Sequence, residues 1–136
     1  MKTARFDDDD LGDELPAAGL YKGTVESARL RCSARGNQMV EVVYQLDELP
    51  PGHRRLSDYF VLEGASPRGL MVARRRLVEL YRACNFEPRA GAEIEPELLV
   101  GTVLAVKLGH QERDGEVRLH VVGYRSVTVL FDDPPF

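Results

Sequence analysis

The sequence predicts a mainly β domain of five strands, with one α-helix between the third and fourth strands. Apolar and polar residues alternate, with the period of a strand, in three stretches between residues 21 and 63. The apolar period then changes to steps of three and four from Leu70 to Cys84, which is typical of an amphipathic helix. Two further alternating stretches follow, over 100–109 and 116–125.

The first strand begins after Pro16 and changes phase part-way along its length. The apolar positions before and after Glu26 and Ser27 fall on opposite phases of the alternation. A change of phase predicts a β-bulge, which lets a long strand curl. The two apolar sets are Tyr21, Gly23 and Val25, and then Ala28, Leu30 and Cys32.

A turn over 33–37, in which Gly36 and Asn37 tolerate positive φ, leads into a second strand over 38–48. Pro50-Pro51-Gly52 ends that strand, and the third spans 55–63. The expected core positions are Val40, Val42, Tyr44 and Leu46 on the second strand and Leu56, Phe60 and Leu62 on the third, with Tyr59 and Val61 on the opposite face.

Ser66 followed by Pro67 predicts the start of the helix, which ends near Asn85. A loop over 87–97 follows, with a short helical turn at its end, and Asp114-Gly115 marks the turn between the last two strands. Three strands, a helix and two strands is the order of the OB-fold, a five-stranded Greek-key barrel. A small sandwich, or another barrel with a helical insertion, shares this order.

With 136 residues, the chain is long enough for one domain with a single apolar core. We expect a flexible acidic arm over 1–15, an OB-fold domain over 16–127 and an acidic tip over 128–136. No stretch approaches the ~18 consecutive apolar residues of a membrane-spanning helix. The acidic first residues do not resemble a secretory signal, so we expect a cytoplasmic protein without a membrane partner. Cys32 and Cys84 are expected to be free thiols that act as small apolar residues.

The charged residues are unevenly distributed along the chain. The 18 basic and 22 acidic residues give a net charge of −4. Without 1–14 and 131–136, 16 basic and 14 acidic residues remain, a net charge of +2. Fifteen of the basic residues are Arg, whose planar donors suit phosphates and stack on bases, although a GC-rich genome also enriches Arg.

Enzyme chemistry has little support in the sequence. It contains no glycine-rich phosphate loop, no nucleophile elbow and no helix with paired metal-binding histidines. His53, His110 and His120 are far apart in sequence and are expected to face solvent. The run from Asp7 to Asp10 has the oxygen ligands that a divalent metal prefers, but an unanchored arm does not fix their geometry. We therefore expect no enzyme, no metal and no cofactor.

Binding of single-stranded nucleic acid has better support. Cations contact the phosphate backbone, and the aromatic rings between them stack on bases without reading the sequence. In an OB-fold, the second and third β-strands and the two flanking loops bind the nucleic acid. Tyr44 and Phe60 are expected in the core, whereas Tyr59 and Tyr124 suit either a stacking platform or partial core. The candidate DNA-binding residues are Arg31, Arg35, Asn37, Arg54, Arg55, Tyr59, Lys107, Arg113, Arg118 and Tyr124, accompanied by His53, His110 and Gln111.

The helix contains the run Arg74-Arg75-Arg76, which fans over about 200° and so cannot form one stripe. Arg68, Arg75 and Arg82, at steps of seven, do share a face. This face is either a solvated helix surface or an auxiliary path for DNA or for a partner.

The segment Phe131-Asp132-Asp133-Pro134-Pro135-Phe136 resembles the acidic C-terminal tip of bacterial single-stranded DNA-binding proteins, which ends in Pro-Phe. That resemblance implies a docking peptide for replication, recombination and repair proteins, in which Pro135 and Phe136 dock and Asp132 and Asp133 support them. A terminal ring can fill an apolar pocket while carboxylates pair with a basic rim. The usual long linker is absent, and Pro134 stands where the family usually has Ile.

The stretch from Leu15 to Val127 is similar to small phage-borne single-stranded DNA-binding proteins. The matching segments are LPAAGLYKGTVESARL, SARGNQMVEVVYQL, GLMVARRRLVELYRAC, GTVLAVKLG and VVGYRSV. The two resemblances imply a protein that coats single-stranded DNA without sequence preference and recruits genome-maintenance proteins, encoded by a phage or another mobile element. The family's Trp stacking residues are missing, since the chain has no Trp.

Two alternatives remain open at this point. One is an adaptor or decoy that docks on the same partners without binding DNA, and the other is a metal-dependent nuclease that uses the N-terminal acids. The sequence is compatible with a homo-oligomer, but it marks no strand as a subunit interface. The charge distribution also suggests the hypothesis that the acidic ends compete with DNA for one basic groove.

Overall fold

The computed structural model describes residues 15–130 together with Ala4. The strands are β1 (Gly19–Cys32), β2 (Gln38–Gln45), β3 (Arg55–Val61), β4 (Val103–Arg113) and β5 (Glu116–Ser126), and the helix is α1 (Pro67–Ala83). The five strands are antiparallel and form one sheet in the order β3-β2-β1-β4-β5. This confirms the mainly β class, the number of strands and the position of the helix.

Short 3₁₀ turns at Pro51–His53, Pro96–Leu99 and Val127–Leu130 complete the described secondary structure. The second of these is the helical turn expected at the end of the loop before β4. Within residues 15–130, no helix is both long enough and apolar enough to cross a membrane.

A bulge divides β1 into two halves that pair with different neighbours. The first half pairs with β4 and the second half with β2, and the register with β2 shifts between Val25 and Ser27. The predicted bulge is therefore confirmed. Of the second apolar set, Ala28 is buried, whereas Leu30 and Cys32 are exposed.

Alternation along β2 and at Leu46, the residue that follows it, directs four side chains into the core, as predicted. Val40, Val42, Tyr44 and Leu46 have no exposed surface. Burying a side chain of this size contributes about 1.5–3 kcal/mol to the free energy of unfolding, so this strand is central to the stability of the domain.

Cys84 also lies in the core, where burial raises the pKa of its thiol to about 11.

Helix α1 starts and ends at the residues that its sequence indicates. The Ser66 hydroxyl accepts a hydrogen bond of 3.1 Å from the Gly69 backbone N–H, which is an N-cap followed by proline at the first helical position. Asn85 has a φ of 66°, in the left-handed region that commonly follows a helix end. Leu77 and Leu80 on the predicted stripe are buried.

Strands β4 and β5 form a longer hairpin than predicted. The turn at Asp114 and Gly115 has positive φ at both positions, 54° and 81°, so the pairing continues to Arg113 and Glu116. Residues 110–118 are all exposed. Residues 110–113 have no buried face, so hydrophobic alternation gave no signal for this end of β4.

The sheet is not closed, since β3 and β5 lie at its two edges. Side chains connect them instead. The Glu79 carboxylate on α1 accepts a hydrogen bond of 2.9 Å from the Tyr124 backbone N–H, which β5 would otherwise offer to a neighbouring strand. Asp58 on β3 accepts hydrogen bonds from the Tyr124 hydroxyl and from Arg76 on α1. Helix α1 thereby joins the two edges.

Candidate nucleic-acid interface

Three of the ten candidate residues, Arg31, Arg55 and Tyr59, share the outer face of β1, β2 and β3. The strand register places residues in rows across the three strands. Tyr59 lies in the central row, beside Glu41 on β2, with Arg29 beyond it on β1. The Tyr59 side chain is exposed at 48%, so one ring is available on this face for contact with a flat ligand.

Glu41 is a buried carboxylate held between two arginines. Its Oε2 lies 2.6 Å from Arg31 Nη1, and its Oε1 lies 3.3 Å from Arg29 Nη2. Burial opposes ionisation, but the hydrogen bonds and charges of Arg31 and Arg29 outweigh it and lower the pKa of the Glu41 carboxyl. The single Glu41 carboxylate therefore holds two guanidinium groups in place, and the three residues together have a net charge of +1.

The sequence identified Arg31 but missed Arg29 and Glu41. The signal was present, because Arg29 lies two residues before Arg31 and so shares its face of the strand. Glu41 stands between Val40 and Val42 and was placed correctly on the outer side. Its burial could not be read from the sequence, since it depends on the two arginines that cover it.

At the other end of the face, β3 approaches the β4–β5 hairpin. A cleft of about 210 Å³ is lined by His53 and Arg55 on one side and by Arg118 on the other. Arg55 pairs with Glu26 at 2.9 Å, and Arg118 pairs with Glu116 at 2.7 Å. The structure thus brings these three candidates together, although the two arginines already have carboxylate partners.

The remaining cationic candidates occupy the rims of the face or lie away from it. Arg35 is exposed in the turn after β1, and Arg113 is exposed near the tip of the hairpin. Arg54 donates from Nε to the Leu49 carbonyl at 2.8 Å, which gives it a structural role. Lys107 is exposed on β4, whose neighbours are β1 and β5, so it does not join the β2–β3 face.

Asn37 and the histidines also differ from the expected placement. Asn37 does not adopt positive φ, and its side chain packs against Gly64, where an added Cβ would lie 2.1 Å from Asn37 Nδ2. His110 and Gln111 lie in β4 rather than in a loop, and His110 Nε2 is 2.7 Å from the Pro16 carbonyl oxygen. His120 is half-buried, with an Nδ1 atom that has no hydrogen-bond partner among the described residues.

The placement of Tyr124 as a DNA contact was wrong. Tyr124 is only 1% exposed, its ring packs against Tyr44 and Phe60, and its hydroxyl bonds to Asp58. A second bulge explains the error, because the β4–β5 register shifts near Lys107 and leaves Val122 as an extra residue on β5. The extra residue reverses the alternation that places Val121 inward and turns Tyr124 into the core.

The predicted partner-docking residues lie outside residues 15–130: Asp132, Asp133, Pro135 and Phe136. The acids from Asp7 to Asp10, on which the nuclease alternative depends, also lie outside the described residues. In the part of the chain that the structure does describe, no three His, Cys, Asp or Glu residues cluster closely enough to hold a metal ion.

Comparison with known proteins does not assign the chain to a family. No protein-family model matches the sequence, and no curated protein matches it.

Proposed function

We propose that this chain binds single-stranded DNA without sequence preference, through the outer face of β1, β2 and β3. The observation that supports this best is the central row of that face. There an exposed ring, Tyr59, lies one strand away from a buried Glu41 that fixes the guanidiniums of Arg29 and Arg31. A base stacks on such a ring while fixed cations neutralise the neighbouring phosphates.

The charge on the outer face supports a polyanionic ligand. Six charged residues belong to it within the three strands, of which four are cations and two are anions: Lys22, Arg29, Arg31 and Arg55, and Glu26 and Glu41. Arg35 is exposed in the turn after β1, whereas Arg113 at the hairpin tip is accompanied by Glu112, Asp114 and Glu116. A protein that mimics DNA would present a negative face, so the net positive charge of this face argues against a decoy.

We further propose that the domain is an OB-fold barrel. The strand order, the bulge in β1 and the helix between β3 and β4 all support this topology. The contact between Asp58 and Tyr124 shows that β3 and β5 come close on the side where a barrel would close. In an OB-fold, the second and third strands form the oligonucleotide-binding face, which is the face described above.

The recruiting half of the proposal rests on the sequence alone. Asp132, Asp133, Pro135 and Phe136 combine acidic and apolar groups in the way that a short docking peptide for a basic, apolar pocket requires. By this proposal the partners are genome-maintenance proteins. By this proposal, binding of DNA by the domain does not require these residues, so the two halves can be tested separately.

A titration of labelled oligo(dT), compared with duplex DNA of the same length at two salt concentrations, tests the proposal. We expect tighter binding to the single strand, and binding that weakens as salt rises. Each phosphate contact contributes about −0.7 to the slope of log affinity against log salt. The double variant Arg29→Gln/Arg31→Gln should therefore reduce the magnitude of the slope by about 1.4.

Arg89→Gln is the matched control, because Arg89 is exposed in the loop after α1 and away from the outer face. It should leave the salt slope unchanged. Equal affinity for single and double strands would overturn the proposal, as would a salt slope that the double variant does not change.

A further inference from the structure

A groove that the proposed function does not use runs between helix α1 and the end of β5. It has a volume of about 760 Å³, within the ~300–1,000 Å³ of typical ligand pockets. Met71 and Val78 on α1 contribute apolar surface, and Met71 is 46% exposed. These residues form a second stripe on the helix, beside the stripe that packs into the core.

The rim of the groove is positively charged. Arg74, Arg75 and Arg82 lie along α1, and Arg125 faces them from β5. Arg82 pairs with Glu87, and Arg125 pairs with Glu79. Within residues 15–130, Arg74 and Arg75 have no carboxylate within 4.0 Å, so two rim charges remain uncompensated. An apolar floor with such a rim suits a peptide that combines aromatic and acidic residues.

The chain itself contains such a peptide immediately beyond the described residues. Residues 131–136 read Phe-Asp-Asp-Pro-Pro-Phe, with two carboxylates between two aromatic rings. The chain leaves the groove at Ser126 and forms the 3₁₀ turn Val127–Leu130. We propose that residues 131–136 of the same chain occupy this groove as a resting site, with Asp132 and Asp133 at the arginine rim.

The length of the segment is sufficient for this contact. Six extended residues span about 20 Å, whereas the four-residue turn moves the chain only about 8 Å away from Ser126. The groove runs along α1 from Met71 to Ala83, a rise of about 18 Å. After returning to Ser126, the segment can therefore still cover more than half of the groove.

This resting site shares no residue with the outer face of β1, β2 and β3. For residues 131–136 it is an alternative to the hypothesis that the acidic ends compete with DNA for one basic groove. By this proposal the tip is released by a partner whose own pocket competes with the groove, and not by DNA. The proposal holds whether or not the domain binds DNA.

A single tryptophan tests the proposal, because the full chain contains none. We would replace Phe136 with Trp in the full-length protein and measure its emission wavelength and its quenching by acrylamide. Phe6→Trp, in the N-terminal acidic segment, is the control for an acidic environment. We expect Phe136→Trp to emit at shorter wavelength than the control and to be shielded from quenching.

The charge reversal Arg74→Glu/Arg75→Glu should remove both the shift and the shielding. Adding Asp132→Lys/Asp133→Lys to that variant should restore them, which a merely unfolded protein would not do. Emission that matches the control, or that responds to Arg29→Glu/Arg31→Glu rather than to the groove variant, would overturn the proposal. A shift that disappears on dilution would also overturn it, because the occupant would then be a second copy.

Discussion

At the scale of single residues, Tyr59 provides the sharpest test of the DNA-binding face. Replacing Tyr59 with Ala removes the exposed ring and should weaken binding of oligo(dT) by about 1–3 kcal/mol, roughly 5- to 150-fold. Tyr59→Phe keeps the ring and should bind almost as well as the wild type. The measurement is a fluorescence titration at fixed salt.

Phe86→Ala is the control for loss of an exposed ring, since Phe86 is 38% exposed on the loop after α1. It should leave the affinity unchanged. If Tyr59→Ala binds as tightly as the wild type, stacking on this face is not part of the function.

The two tyrosines show what the sequence can predict about a residue. Tyr59 was placed correctly because β3 alternates regularly between Leu56 and Val61. Tyr124 was misplaced because one extra residue, Val122, reverses the alternation of β5. Gly123, next to Val122, is a residue type that often marks a bulge inside a strand, but it does not fix the side to which Tyr124 turns. The bulge in β1 was visible as two apolar sets in opposite phase.

At the scale of the element, Glu41 makes the central strand β2 sensitive to acid. Its pKa is lower in the folded protein than in the unfolded chain, so the unfolded state takes up its proton first as pH falls. The stabilisation from this group is therefore complete above about pH 4.5 and is lost as pH falls through the folded-state pKa. Once it is protonated, Glu41 no longer forms its ion pairs with Arg29 and Arg31.

Glu41→Gln should cost about 1–2 kcal/mol of unfolding free energy at pH 7. Urea denaturation at pH 7 and at pH 3 measures this, and the variant should lose less stability on acidification than the wild type. Glu116→Gln is the control, because its ion pair with Arg118 is largely exposed. Equal acid sensitivity of wild type and Glu41→Gln would contradict the expectation.

The elements themselves were predicted to the extent that each has one buried face. Strand β2 and helix α1 have such a face, and their core residues were identified. The end of β4 beyond Gly109 has none, so its length became visible only in the structure. The groove beside α1 was missed for a related reason, because it depends on the distance between the helix and β5.

At the scale of the whole molecule, closure of the sheet is the feature that the sequence could least predict. The order of strands and helix indicates a barrel, but it does not say whether β3 and β5 form hydrogen bonds. In the structure, the two edges meet through side chains that are distant in sequence. Asp58, Arg76 and Tyr124 come from three different elements.

Asp58 should therefore hold the domain together more strongly than its position on an edge strand suggests. Its carboxylate accepts from Arg76 Nη2 at 2.5 Å and from the Tyr124 hydroxyl, and Arg76 also lies over the Phe60 ring at 5.1 Å. Asp58→Ala leaves both donors without an acceptor and should cost about 2–4 kcal/mol of unfolding free energy.

Urea denaturation at pH 7 measures both variants. Tyr124→Phe, which removes only one hydroxyl, should cost about 1 kcal/mol of unfolding free energy. Amide hydrogen exchange would locate the effect, and Asp58→Ala should accelerate exchange in β3 and β5 more than in the β1–β2 pairing. Since Arg76 on α1 loses its carboxylate partner, the helical turn around Arg76 should exchange faster as well. If the loss of stability were small and exchange rose evenly over all five strands, the side-chain bridge would not be what joins the edges of the sheet.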